Sequence, residues 1–284
     1  MQIARVFPRR TKATPDDALA FTTPPPKDLV DIDEVHVSVA FSYDMEKAER
    51  LAEAWQHTGV PVKMGGPALN TPAGDFTPGL YLKEGYVITS RGCIGRNCWF
   101  CSVPFREGSI RELPITSGWI VNDNNILACS ENHIRKVFEM LSHQPKRPIF
   151  SGGLDSRLLT EWHVDLLRES KVERAYFAYD NEKDFEPLIN AGRLLRNGGI
   201  KDSSGHKLKC YVLIGYPGDT MENAEKRLYD TWRAGFWPYA MLYHNEKGET
   251  TEEWQRFQRT WLRPHIVYHK LKEVSDRYSQ AELK

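Results

Sequence analysis

The sequence lacks any run approaching the about 18 consecutive apolar residues of a membrane-crossing helix, and its first ten residues, MQIARVFPRR, lack the apolar centre of a secretory signal. Both absences predict a soluble, cytoplasmic protein with no membrane partner. It also lacks a charge excess. With 38 Lys and Arg against 38 Asp and Glu in 284 residues, no global field advertises nucleic acid or a membrane surface, and any basic patch is local. Cysteine is scarce, and five, an odd number, cannot staple a disulfide scaffold. What is present is ordinary for a globular chain: 40% hydrophobic and 27% charged residues supply a sizeable core and exclude wholesale disorder.

Along the chain, residues 1–30 carry Arg5, Arg9, Arg10 and Lys12 before any acid and then Pro24, Pro25 and Pro26, which reads as an extended arm. Val35, Val37, Val39 and Phe41 alternate as a strand does, and Ala48, Leu51, Ala52 and Trp55 follow at helical spacing. Val60 to Met64 then closes a small βαβ-like unit at Gly65-Gly66-Pro67, and residues 68–84 read as a linker. From residue 86 short apolar runs alternate with amphipathic stretches, the pattern of parallel strands with crossover helices. Six strands are expected, at Tyr86–Ser90, Trp119–Val121, Pro148–Ser151, Ala175–Tyr179, Leu208–Ile214 and Tyr239–Tyr243. Ser130, Thr160 and Asp219 are cap residues for the intervening helices, and Trp254, Phe257 and Trp261 turn inward from a helical tail over 251–278. Residues 86–243 fall short of the about 250 residues of a complete eightfold barrel. The expected fold is therefore α/β: a partial (β/α)6 TIM-like barrel over 85–284 with a C-terminal helix, preceded over 1–84 by the arm and a small N-terminal βαβ-like appendage.

The distribution of cysteine is more informative than its count. Cys93, Cys98 and Cys101 fall within nine residues, in Arg91-Gly92-Cys93-Ile94-Gly95-Arg96-Asn97-Cys98-Trp99-Phe100-Cys101, directly after the first expected barrel strand. Loops at the carboxyl ends of parallel strands are where such folds gather reactive groups, and thiolates are the usual iron–sulfur ligands. Zinc uses sulfur too, but a closed site wants a fourth ligand, which Cys129 or His133 would supply from a distance. Cys129 and Cys210 otherwise read as ordinary buried residues.

The run SRGCIGRNCWFCSVP resembles the signature of the radical S-adenosylmethionine superfamily, nearest the branch whose barrels often follow a cobalamin-binding domain. The first gap is four residues here against the usual three. The resemblance implies that Cys93, Cys98 and Cys101 ligate a [4Fe-4S] cluster whose open iron chelates S-adenosylmethionine. Reductive cleavage then gives a 5'-deoxyadenosyl radical, with an electron donor such as flavodoxin or ferredoxin as partner. It also implies that Phe100 packs near the adenine, that Asp123 meets the cofactor's amino group, and that Phe177–Asn181, with Asp180, and Leu213–Asp219, with Gly215, follow strands four and five of the family. Gly152 and Gly153 let a ligand approach the backbone or form only a turn. Asp123, Asp180 and Asp219 each follow a strand and precede a helix, where an Asp also serves as an N-cap, and for Asp219 the capping-box partner Glu222 favours that role.

The segment 35–66 is too short for a cobalamin domain and has no Asp before His36, so His36 is expected to be a strand residue with a satisfied ring. Arg157 is expected to be solvated. Tyr211, Tyr216, Tyr243 and His244 lie near strand ends. The substrate is left open, with a nucleotide or nucleic-acid base as one class that the basic arm and the aromatic content would suit. Two other readings stand beside the radical enzyme: a zinc or iron–sulfur binding module without radical catalysis, with nucleic acid as its partner class, and a barrel that uses S-adenosylmethionine as an ordinary methyl donor.

Overall fold

In the computed structural model residues 1–29, 31–94, 98–200 and 207–281 are described, with side chains through residue 275. They form a mixed α/β chain with parallel sheets and eight α-helices, and no closed barrel is seen among them. None of the described helices is long and apolar enough to cross a membrane. Contacts group the chain into two units, residues 1–146 with 246–248 and residues 147–245 with 249–284.

The first unit opens with a strand where an arm was expected. β1 (Ile3–Val6) lies inside a four-stranded parallel sheet, between β2 (Ala20–Phe21) and β3 (Glu34–Ser38), because Ala4 and Val6 have an apolar core to enter. Arg5 is buried with them; its terminal guanidinium nitrogens donate to Asp17 and to the carbonyl oxygens of Gly79 and Leu80 at 3.1 and 3.5 Å. α1 (Met45–Gln56) and β4 (Val62–Gly65) complete the expected βαβ unit, with Val35 opposite Val62 and Val37 opposite Met64. Ala48, Leu51 and Trp55 recur along one face of α1 and are buried against Val35, Val37 and Val39. The leucine and each valine contribute about 1.5–3 kcal/mol on full burial.

The expected strand at 86–90 is divided. β5 (Tyr86–Val87) and β6 (Ser90–Arg91) have different partners, because the amide of Thr89 leaves the ladder and bonds the side chain of Asp123 at 2.6 Å. After α2 (Val103–Glu107), β7 (Arg111–Glu112) pairs antiparallel with β6 and β8 (Ile120–Val121) pairs parallel with β5. α3 (Glu131–Ser142) follows, capped by Ser130, whose hydroxyl accepts from the His133 amide.

The second unit alternates strand and helix: β9 (Ile149–Leu154), α4 (Glu161–Glu169), β10 (Arg174–Ala178), α5 (Phe185–Asn197), β11 (Leu208–Ile214), α6 (Met221–Arg233) and β12 (Trp237–Leu242). The four strands are adjacent in chain order and all parallel. β11 has the bounds expected of it. Leu208, Cys210, Val212 and Ile214 are buried, while the intervening Lys209, Tyr211 and Leu213 are half-buried. The expected helical tail is two helices, α7 (Glu252–Leu262) and α8 (Pro264–Ala281), broken where Pro264 cannot continue the first. Trp261 is fully buried with Val212, Leu228, Val267 and Leu271, and Trp254 and Phe257 pack against that core as expected.

Candidate functional site

The antiparallel pairing of β6 and β7 closes the cysteine-bearing segment into a loop leaving Arg91 and returning at Arg111. Its base is fixed by two bonds: the Gly92 amide donates to Asn124 Oδ1 at 3.1 Å, and the Cys93 amide donates to the Gly108 carbonyl at 3.1 Å. Gly92 has φ +94°, and a Cβ there would stand 2.1 Å from the Ser109 carbonyl oxygen, so only glycine fits before the first cysteine. The Cys101 amide donates to the Cys98 carbonyl at 2.9 Å, which turns the chain between these two thiols. Cys93, Cys98 and Cys101 are half-buried. Trp99 and Phe100 between the last two are exposed, their rings edge to face at 5.5 Å. Gly95, Arg96 and Asn97 of the motif lie outside the described residues. Among the described residues no three His, Cys, Asp or Glu side chains gather closely enough to hold a metal ion. As a donor set, three thiols on a loop anchored by its first glycine suit a soft metal or an iron–sulfur cluster and do not suit magnesium or calcium.

Beneath the loop lies a buried polar network. Asp123 is 2% exposed. One of its oxygens accepts from the Thr89 amide at 2.6 Å, and the other accepts from the hydroxyls of Thr89 at 2.6 Å and Ser90 at 2.9 Å. Burial raises its carboxyl above the usual aspartate range, and the Thr89 and Ser90 donors act against that rise. His133 Nε2 stands 3.3 Å from the Thr89 hydroxyl, and His133 Nδ1 stands 3.7 Å from Glu112. Asp123 therefore does not cap a helix. It holds the two residues that aim Arg91 and Gly92 into the cysteine loop. Cys129, half-buried beside Ser90, has its thiol pushed up to about 12 by burial, so at neutral pH it is not a thiolate.

The remaining expected site residues fall in the second unit. Gly152 and Gly153 form no turn. They lie inside β9, where the pairing with β10 shifts register between Phe150 and Leu154, and Gly153 takes φ +97°. Asp155 and Asp184 both bind Arg157, at 2.6 and 2.9 Å, so this arginine is paired and not simply solvated. Asp180 accepts from the Leu213 amide at 2.6 Å, and burial pushes its carboxyl up to about 6. The capping role open to it belongs instead to Asn181, whose side chain accepts from the Lys183 amide. Asp219 is likewise no cap for α6. Thr220 is, accepting from Asn223 at 3.1 Å, while Asp219 accepts from the Gly215 amide at 2.9 Å and from Arg227 at 2.8 Å. Gly215, at φ +74°, packs so closely on Trp254 that a Cβ would lie 2.9 Å from its ring.

His36 has the satisfied ring expected of it, with Glu34 at 2.8 Å and the Tyr81 hydroxyl at 2.6 Å. Tyr211 donates to the Ser151 carbonyl at 3.2 Å and stacks on Tyr176, and Cys210 is fully buried. Thr89, Ser90 and Asn124, which position the loop, were not evident from sequence. Compared with known proteins, the chain matches no family model and no curated protein.

Proposed function

We propose that this chain is a radical S-adenosylmethionine enzyme built on a partial (β/α)6 TIM-like barrel, in which Cys93, Cys98 and Cys101 hold a [4Fe-4S] cluster. The observation that carries the reading is three thiols within nine residues on one loop whose base is locked by Gly92. When bound, the cluster supplies an electron that cleaves S-adenosylmethionine reductively and so starts hydrogen abstraction from an organic substrate. A flavodoxin- or ferredoxin-like protein is the donor in this proposal.

The chain's own residues have distinct tasks. Asp123, through Thr89 and Ser90, fixes the direction in which the loop departs. Phe100, exposed beside Cys101, offers an apolar face to a planar ring. Gly152, exposed, leaves backbone open to a ligand, and the space where a Gly153 side chain would stand is empty, whereas at Gly215 that space is filled by Trp254. The Asp180 carboxyl, raised to about 6, holds a proton over much of the acid range and faces the Leu213 amide.

Anaerobic reconstitution with iron and sulfide, followed by metal analysis and electron paramagnetic resonance, tests the reading. Expected are about four irons per chain and a reduced spectrum that changes when S-adenosylmethionine is added. Cys93→Ala, Cys98→Ala and Cys101→Ala should each lose the iron, while Cys129→Ala and Cys210→Ala keep it. Zinc in place of iron, a spectrum blind to the cofactor, or S-adenosylhomocysteine as the product would overturn it.

A further inference from the structure

The four parallel strands of the first unit run in the order β2-β1-β3-β4. β1 leads to a neighbour on one side, and β3 leads through α1 to a neighbour on the other. Connections thus diverge between β1 and β3, and in open parallel sheets ligands lie in the crevice at the carboxyl ends of strands so arranged. A cavity of about 530 Å³ is found there, walled by residues following β1, β3 and β4 and reaching Ile88, Arg91 and Leu113. That volume is within the range of about 300–1,000 Å³ usual for small-molecule sites.

Most charge around this cavity is internally matched. Arg9 forms two bonds to Asp44, at 3.0 and 2.9 Å. Lys63 bonds Glu34 at 2.8 Å, and Arg106 bonds Glu107 at 3.0 Å. Asp75 on the linker side is exposed and screened by solvent. Arg91 differs. It is half-buried and lines the cavity, and among the described residues its guanidinium forms no hydrogen bond or close ion pair, although the Glu107 and Asp123 carboxylates favour its charge from a distance. Its planar fork of donors, partly withdrawn from water and open to the cavity, matches a carboxylate or phosphate oxyanion in geometry. The lining also includes Phe41, Met64 and Tyr81, three large apolar side chains that remain exposed.

We propose that this cavity binds a small organic oxyanion, its carboxylate or phosphate head on Arg91 and its planar apolar body against Phe41, Met64 and Tyr81. The assignment stands apart from the metal reading, since neither the cavity nor the guanidinium requires a metal. Titration calorimetry on the whole 284-residue chain, metal-free, tests it with three probes sharing one ring system: 2-naphthoate, 2-naphthyl phosphate and uncharged 2-naphthol. The two anions should bind more tightly than the naphthol, and whichever anion is preferred identifies the head group. Arg91→Met should weaken the anions about 10- to 100-fold, the scale of one or two charge-assisted hydrogen bonds, and leave the naphthol unchanged. Phe41→Ala should weaken all three. Equal affinity for anions and naphthol, no binding of any probe at millimolar concentration, or an unchanged Arg91→Met variant overturns the proposal. Should Arg91→Met fail to fold, the comparison of charged and uncharged probes on the native chain decides it. Loss of iron in the reconstitution experiment leaves this result untouched, so the two proposals fail separately.

Discussion

At the scale of single residues, Asp180 makes burial measurable. Its carboxyl is raised to about 6, chiefly by burial, with the Leu213 amide acting against the rise. The unfolded chain ionises an aspartate near about 3.9, so between the two values the folded state holds the proton more tightly. Stability owed to this group is therefore greatest at low pH and falls as pH rises through about 6. The full loss is about 3 kcal/mol, the cost of ionising a carboxyl near about 6 in place of about 3.9. Asp180→Asn keeps an acceptor for the Leu213 amide and removes the ionisation. Urea unfolding should show the variant gaining on the native protein from almost nothing at pH 4 to about 2–3 kcal/mol at pH 8. A gain that does not change with pH would mean that Asp180 is not ionising inside the fold.

At the scale of elements, the start of α6 separates two roles that look alike in sequence. Asp219 and Thr220 are both cap-forming types, but only Thr220 caps. Asp219 and Arg227, both almost fully buried, form an ion pair eight residues apart. Thr220→Ala should cost about 1 kcal/mol, a lost cap. Asp219→Ala should cost about 3–5 kcal/mol, because it strands a buried guanidinium. Denaturant titrations giving equal losses would deny the pair its role. The same contrast explains what the sequence reveals. Ser130 and Thr160 are legible as caps because their partners lie three residues on. β11 is legible because a short apolar run ending at Gly215-Tyr216-Pro217 fits a buried strand, and the cysteine loop because three thiols fall within nine residues. β1 is not legible. Arg5 reads as solvent-facing until Asp17, Gly79 and Leu80 close around it from 12, 74 and 75 residues away. Asp123 likewise finds Thr89 and Ser90 34 and 33 residues back, beyond any local pattern.

At the scale of the whole molecule, the equality of 38 basic and 38 acidic residues is matched by local neutralisation. Of the four basic residues that suggested a phosphate-binding arm, two are paired, Arg5 with Asp17 and Arg9 with Asp44, while Arg10 and Lys12 form no ion pair among the described residues; Lys83, bonded to the arm's Asp16, is paired as well. Sequence-independent attraction to nucleic acid comes from cations that displace condensed counterions, and a cation already facing a carboxylate must first give up that partner. A further basic cluster among the described residues, Arg147, Arg168, Lys171 and Lys207 around a cleft of about 250 Å³, has Arg168 on Asp165. The chain is therefore expected to bind a fluorescent 20-base-pair duplex weakly in about 150 mM salt, with a dissociation constant above about 100 µM, at or beyond the weak end of non-specific binding. Anisotropy titrations at several salt concentrations measure both affinity and slope. Binding near about 1 µM with a steep salt dependence would show that these ion pairs open on contact with phosphate, and Asp44→Asn, which releases Arg9, should then tighten it further.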